Sequence, residues 1–170
     1  IEADEEIYVS ARFKARSNNH GGALVSKGES ALGNRFRTGA LQVGNGHMNF
    51  FSLMAIEDNT FVTINLPAGI ASLAGTTGTI NVGPINSGQS YIIGNNDFGN
   101  GIISTLIEST KPIVVNSGSA TGTFYLDGQS LNDGRGAGQD HGVDQIVGVD
   151  LVGSEYIFVK GNGQDTWENV

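Results

Sequence analysis

The chain has no cysteine, three prolines, one tryptophan and no long apolar run. Without cysteine there is no disulfide framework and no thiol chemistry. Such a chain, if extracellular, suits a bacterial exterior better than a small eukaryotic secreted domain. No stretch approaches the ~18 apolar residues that mark a membrane-spanning helix. Basic groups are scarce as well: nine Lys and Arg face seventeen Asp and Glu, a net charge of −8. The deficit is uneven. Residues 1–37 hold six basic and five acidic groups, whereas residues 38–170 hold three and twelve. An acidic body lacks the clustered cations that neutralise phosphate, so nucleic acid and anionic membranes are poor partners. The chain opens on the acidic run Ile1-Glu-Ala-Asp-Glu-Glu6. That is neither an initiator Met nor a signal peptide, so it reads as the mature part or an excised piece of something longer.

Glycine is plentiful, at 26 of 170 residues. With abundant Asn, Ser and Thr it signals many tight turns and few long helices. Period-2 alternation is the dominant pattern. In Glu6–Ala15, residues Ile7, Val9, Ala11, Phe13 and Ala15 share one face, and Tyr8, Ser10, Arg12 and Lys14 share the other. That is a strand with one wet side. Further strands are expected at 23–27, 34–41, 79–82, 90–93 and 123–126, with one helical turn near Gly28–Leu32. Three stretches, 49–65, 102–116 and 147–160, each read as apolar strand, polar turn and apolar strand. They predict β-hairpins turning near Asp58, Thr110 and Ser154. Their spacing of roughly 40–50 residues is compatible with a propeller-like stack, and a sandwich of antiparallel hairpins explains it with fewer assumptions. The expectation is one all-β domain over 1–170, or a fragment of a longer multi-domain protein. Ile7, Val9, Phe13, Phe61, Ile64, Ile113, Val115, Ile157 and Val159 are the expected inward residues.

Several segments have a familiar wording. They are Gly22-Ala-Leu-Val-Ser-Lys-Gly28, Ala31-Leu-Gly-Asn-Arg-Phe-Arg-Thr-Gly39, Ser52-Leu-Met-Ala-Ile-Glu-Asp-Asn-Thr60, Lys111-Pro-Ile-Val-Val-Asn-Ser-Gly118 and Gly153-Ser-Glu-Tyr-Ile-Phe-Val159. Together they resemble the N-terminal domain of the IgGFc-binding protein family, in the form found in large surface adhesins of gliding bacteria. The resemblance covers nearly the whole chain. It implies an extracellular, non-enzymatic module, export by the type IX secretion system, and partners among neighbouring domains, surface polysaccharide or other cell-surface and secretion proteins. It implies no catalytic residues and no cofactor, and antibody binding is not carried over with the name.

The residues offer few chemical constellations of their own. The stretch 127–144 holds Asp127, Asp133, Asp140 and Asp144 among glycines. Ca²⁺ takes six to eight oxygens, and such a loop could wrap one. The spacing matches no EF-hand or nonapeptide repeat, so the favoured reading is a solvated loop whose Asp side chains cap its own turns. Arg12, Lys14 and Arg16 line one strand face and Arg35 and Arg37 another. They form either a stripe for an acidic polysaccharide or an ordinary wet face, interleaved with acids from the Glu2–Glu6 run. His20, His47 and His141 lie apart beside glycines, with no Gly-x-Ser-x-Gly elbow and no zinc spacing. Gly134, Gly136 and Gly138 lack the Lys and helix of a phosphate loop. Trp167, Tyr8, Tyr91, Tyr125 and Tyr156 are scattered rather than grouped as a sugar platform. A carbohydrate-binding module with Ca²⁺ at 127–144 is the first rival to the spacer or adhesin reading. A hydrolase is the second, to be marked by paired carboxylates or a Ser within reach of His47 or His141.

Overall fold

The computed structural model describes residues 4–5, 7, 9–14, 21–40, 47–97, 101–122 and 140–155. They form nine strands: β1 (Ser10–Lys14), β2 (Gly21–Val25), β3 (Gly33–Arg37), β4 (Asn49–Ala55), β5 (Thr60–Asn65), β6 (Thr79–Ile85), β7 (Ser90–Asn95), β8 (Leu106–Gly122) and β9 (Asp140–Ile146). One-turn 3₁₀ helices sit at Gly28–Ala31 and Val149–Leu151, and the described residues contain no α-helix. β1 and β2 pair as a separate two-stranded sheet. The other seven form one antiparallel sheet in the order β6-β5-β8-β4-β7, with β3 and β9 also paired to β8. The sheet is strongly curled, in the manner of a half-barrel, and the fold is all-β and sandwich-like.

The strand pairings differ from the expected hairpins. β4 and β5 do not pair with each other. Both run antiparallel to β8 along the same edge, β4 opposite residues 113–119 and β5 opposite 106–109. Asp58-Asn59 is therefore a corner in a continuing strand and not a reversal. Seven residue steps separate Ala55 from Val62, but four separate their partners Ile113 and Ser109. The three extra residues bulge outward, helped by Asn59 at φ 56°. Side chains stitch this corner. Lys111 Nζ donates to Asp58 O at 2.7 Å, Asn59 N to Asn86 Oδ1 at 3.1 Å, and Phe61 N to Thr110 Oγ1 at 3.0 Å.

The second expected hairpin is also a single strand. β8 passes through Thr110-Lys111-Pro112 without turning back. The hairpin that does form joins 49–65 to 79–95 through the loop 66–78, with β4 paired to β7 and β5 to β6. In place of the third, Val149–Leu151 is a 3₁₀ turn after β9, so Val147–Val152 is not a strand. Residues 156–160 lie outside the described residues, as do 123–126.

The three bent lanes 49–65, 79–95 and 106–122 give the sheet two halves. β3, the start of β8, β5 and β6 make one. β9, the end of β8, β4 and β7 make the other. Their inner faces supply a single core of Phe36, Val62, Ile64 and Ile107 from the first half and Phe51, Leu53, Ile93 and Val115 from the second. Each such buried side chain contributes about 1.5–3 kcal/mol. The loop 66–78 reaches across one margin, where Leu73 N bonds to Gly94 O at 2.8 Å and Asn95 Nδ2 to Ala71 O at 2.6 Å.

The corner also decides which residues face inward. β4 buries its odd-numbered residues, and β5 buries Thr60, Val62 and Ile64. Ile64, Ile113 and Val115 are inward as expected. Phe61 is not: it is 49% exposed, because it lies three residues from Ile64 and strand faces alternate. Ile7 is 55% exposed, against expectation, and Val9 is half-buried. The side chains of Phe13, Ile157 and Val159 lie outside the described residues.

Candidate functional site

Of the four Asp residues singled out, Asp127 and Asp133 lie outside the described residues. Asp140 and Asp144 belong to β9, which starts within the expected loop, and they pair opposite Gly122 and Ser117. Four residues of strand separate their Cα atoms by about 13 Å. Asp144 Oδ2 accepts from Lys27 Nζ at 2.6 Å. Chelation with EDTA is expected to leave the melting temperature unchanged within about 1 °C. A Ca²⁺-dependent rise that Asp133→Ala abolishes would instead establish an ion at 127–144.

The basic residues are dispersed. Arg12 and Lys14 on β1 stand opposite Ala23 and Gly21, so no like charges face each other. Arg16 lies outside the described residues. Arg35 stands opposite Glu108 on β8, with Nε 3.5 Å from its carboxylate, and Arg37 donates to Ser104 O at 2.9 Å. The acid that interleaves with Arg35 thus comes from β8. His47 precedes β4 and His141 lies on β9, in separate segments; His20 lies outside the described residues.

The structure assembles a groove that no sequence pattern announced. It runs between β2 with its following 3₁₀ turn and the outer face of the β4–β8–β9 half. Leu24, Leu32, Met54, Ile56 and Val114 give it aliphatic walls, and its volume is about 450 Å³. Outward positions alternate along β4 and β8, which places Met54 directly opposite Val114. One end is polar, with Ser26, Asn116 and the buried Gln145. Lys27 fixes the groove's geometry: its backbone N donates to Gln145 Oε1, and its Nζ reaches Gln145 O and Asp144. The volume falls within the range of small-ligand sites. Chemically, the groove can bury an aliphatic group and offer amide hydrogen bonds at one end. Glu29 is the single carboxylate among its lining residues, so the groove has no acid–base pair. Its parts come from residues 24–32, 54–56, 114–116 and 145: strand pairing sets Met54 beside Val114 and Asn116 beside Gln145, and Lys27 ties residues 24–32 to β9. The one trace in sequence is an apolar residue on the outward side of β4 and of β8.

Comparison with known proteins gives one positive finding. A family model described as IgGFc binding protein matches residues 21–170. No curated protein and no solved structure matches the chain.

Proposed function

The chain belongs to the IgGFc binding protein family, and from that premise we propose that it is a non-enzymatic extracellular module of a large bacterial surface adhesin or fibre. Its work is adhesion, on a gliding bacterium that exports it by type IX secretion, and its partners are neighbouring domains of the same chain and surface glycan. The observation that carries this reading is the family match, which begins at β2 and covers all of the seven-stranded sheet. Domains of this family are typically extracellular binding modules. The absence of cysteine from the whole chain suits a bacterial exterior. The groove's aliphatic lining with a single carboxylate suits binding rather than hydrolysis.

Labelling of intact source cells with a membrane-impermeant amine reagent tests the location, since the exposed Lys14 is available to it. The domain is expected to be labelled on whole cells to the same extent as in lysates. Labelling only after lysis would overturn the reading.

A further inference from the structure

From Asn59 to Asn96 the chain contains no Asp, Glu, Lys, Arg or His, in a protein whose net charge is −8. The fold places this neutral stretch in β5, the loop 66–78 and the outer lane of β6 and β7, which pairs with 49–65. Edge strands of soluble proteins usually carry charges that keep other chains away. Here the outer face of β5 and β6 carries hydroxyls, carboxamides and one open aromatic ring. Phe61, Thr79 and Asn81 are exposed, and Thr63 and Asn65 are half-exposed.

Two features prepare this face to receive a ligand. The first is the position of the Phe61 ring against Gly83. A Cβ on Gly83 would stand 3.1 Å from Phe61 Cδ1 and 2.8 Å from Thr60 O, so only glycine at φ +132° lets the ring lie there. One part of the ring rests on backbone, and the side chain remains 49% exposed. The second is a pair of cross-strand hydrogen bonds. Thr63 Oγ1 donates to Asn81 Oδ1 at 3.2 Å, and Thr79 Oγ1 donates to Asn65 Oδ1 at 2.8 Å. Each bond holds a carboxamide through its oxygen and leaves its NH₂ group available as a donor. Two oriented amide donors and an aromatic ring then share the outer face of β5 and β6, bordered by Glu108 of β8, which stands opposite Thr63 and pairs with Arg35.

We propose that this face binds a neutral polysaccharide. A sugar ring offers apolar C–H groups to an aromatic face and hydroxyl oxygens to amide donors. Those are the complements of Phe61 and of Asn65 and Asn81. A charged glycan would find no counter-charge on β5 or β6, whereas a neutral one loses nothing to the acidic body. The inference deepens the adhesin reading by naming the ligand class of one surface. It stands apart from the basic residues of β1 and from residues 127–144.

The test is affinity electrophoresis of the 170-residue chain through gels containing dextran, laminarin, soluble xylan or galactomannan, with alginate as the acidic control. At least one neutral polymer is expected to retard the protein, and alginate is not. Phe61→Ala is expected to weaken that retardation at least roughly tenfold, and Asn81→Ala to weaken it less, with unchanged melting temperatures. Arg12→Ala should leave it intact. Sedimentation of the same proteins separates the rival occupant, a second copy of the chain. A dimer lost in Phe61→Ala, with no retardation by any neutral polymer, would overturn the glycan assignment in favour of self-association. Retardation unaffected by Phe61→Ala, or none with any polymer, would overturn it outright. Surface labelling of whole cells reads the location separately, so failure here leaves the extracellular assignment standing.

Discussion

Phe51→Ala is expected to destabilise the protein by about 3–5 kcal/mol, and Phe61→Ala by less than about 1 kcal/mol. The two phenylalanines lie on consecutive strands of one lane but on opposite faces. Phe51 is fully buried between Ser117 on β8 and Ile93 on β7, and it belongs to the core cluster. Removing its ring sacrifices transfer energy and leaves a cavity that the rigid sheet closes only in part. Phe61 already meets water over half its surface. For a chain of this size, 4 kcal/mol corresponds to a drop of roughly 10 °C in melting temperature. Denaturant titration of the two variants measures the contrast. Equal losses would mean that the three-residue bulge at the corner is misplaced and that β5 buries its odd-numbered residues.

Gly118→Ala is the second large effect. Gly118 stands on β8 opposite Val143 of β9 and Phe50 of β4. A Cβ there would lie 1.9 Å from Gly142 O and 2.7 Å from Val143 Cα, both backbone atoms that cannot rotate away. β9 must therefore shift or detach. We expect a loss of about 3 kcal/mol, and the amides of Val143 and Gln145 should lose hydrogen-exchange protection while those of Val62 and Ile64 keep theirs. The groove would suffer with β9, because Lys27 is anchored to Asp144 and Gln145. A melting temperature within about 2 °C of the parent would show that β8 and β9 are not so closely apposed.

Strand identity was legible in this sequence, and strand partnership was not. The alternation in 49–55, 60–65 and 113–117 follows directly from one buried face, so the existence of β4, β5 and β8 could be read residue by residue. Asp58-Asn59 and Thr110-Lys111-Pro112 carry turn chemistry, and a local reading equates turn chemistry with reversal. Here the same residues make corners: Asn59 takes positive φ within a continuing strand, and Pro112 sits where β8 bends from one half of the sheet to the other. What distinguishes corner from hairpin is the pairing of 49–65 with 79–95 and 106–122, a non-local fact. Phe61 and Ile64 stand three residues apart, so one strand cannot bury both, and the corner sets β5 to bury its even-numbered side. The acidic residues 127–144 drew attention through composition alone. The groove and the neutral face did not, because their residues converge only after folding.

The shared corners also govern how the molecule comes apart. Three lanes of chain, 49–65, 79–95 and 106–122, serve both halves of the sheet, so neither half can be released while the other stays intact. Heating should give one transition, with calorimetric and van't Hoff enthalpies in agreement. The neighbours that close the sheet are remote in the chain, as with Asn34 and Ser109, 75 residues apart. Topologies of this kind fold slowly, over milliseconds to seconds, because loop closure precedes the contacts that reward it. In the surface fibre proposed above, the same property would become a mechanical one: a module that opens all at once holds its full length under load, then gives way in a single step.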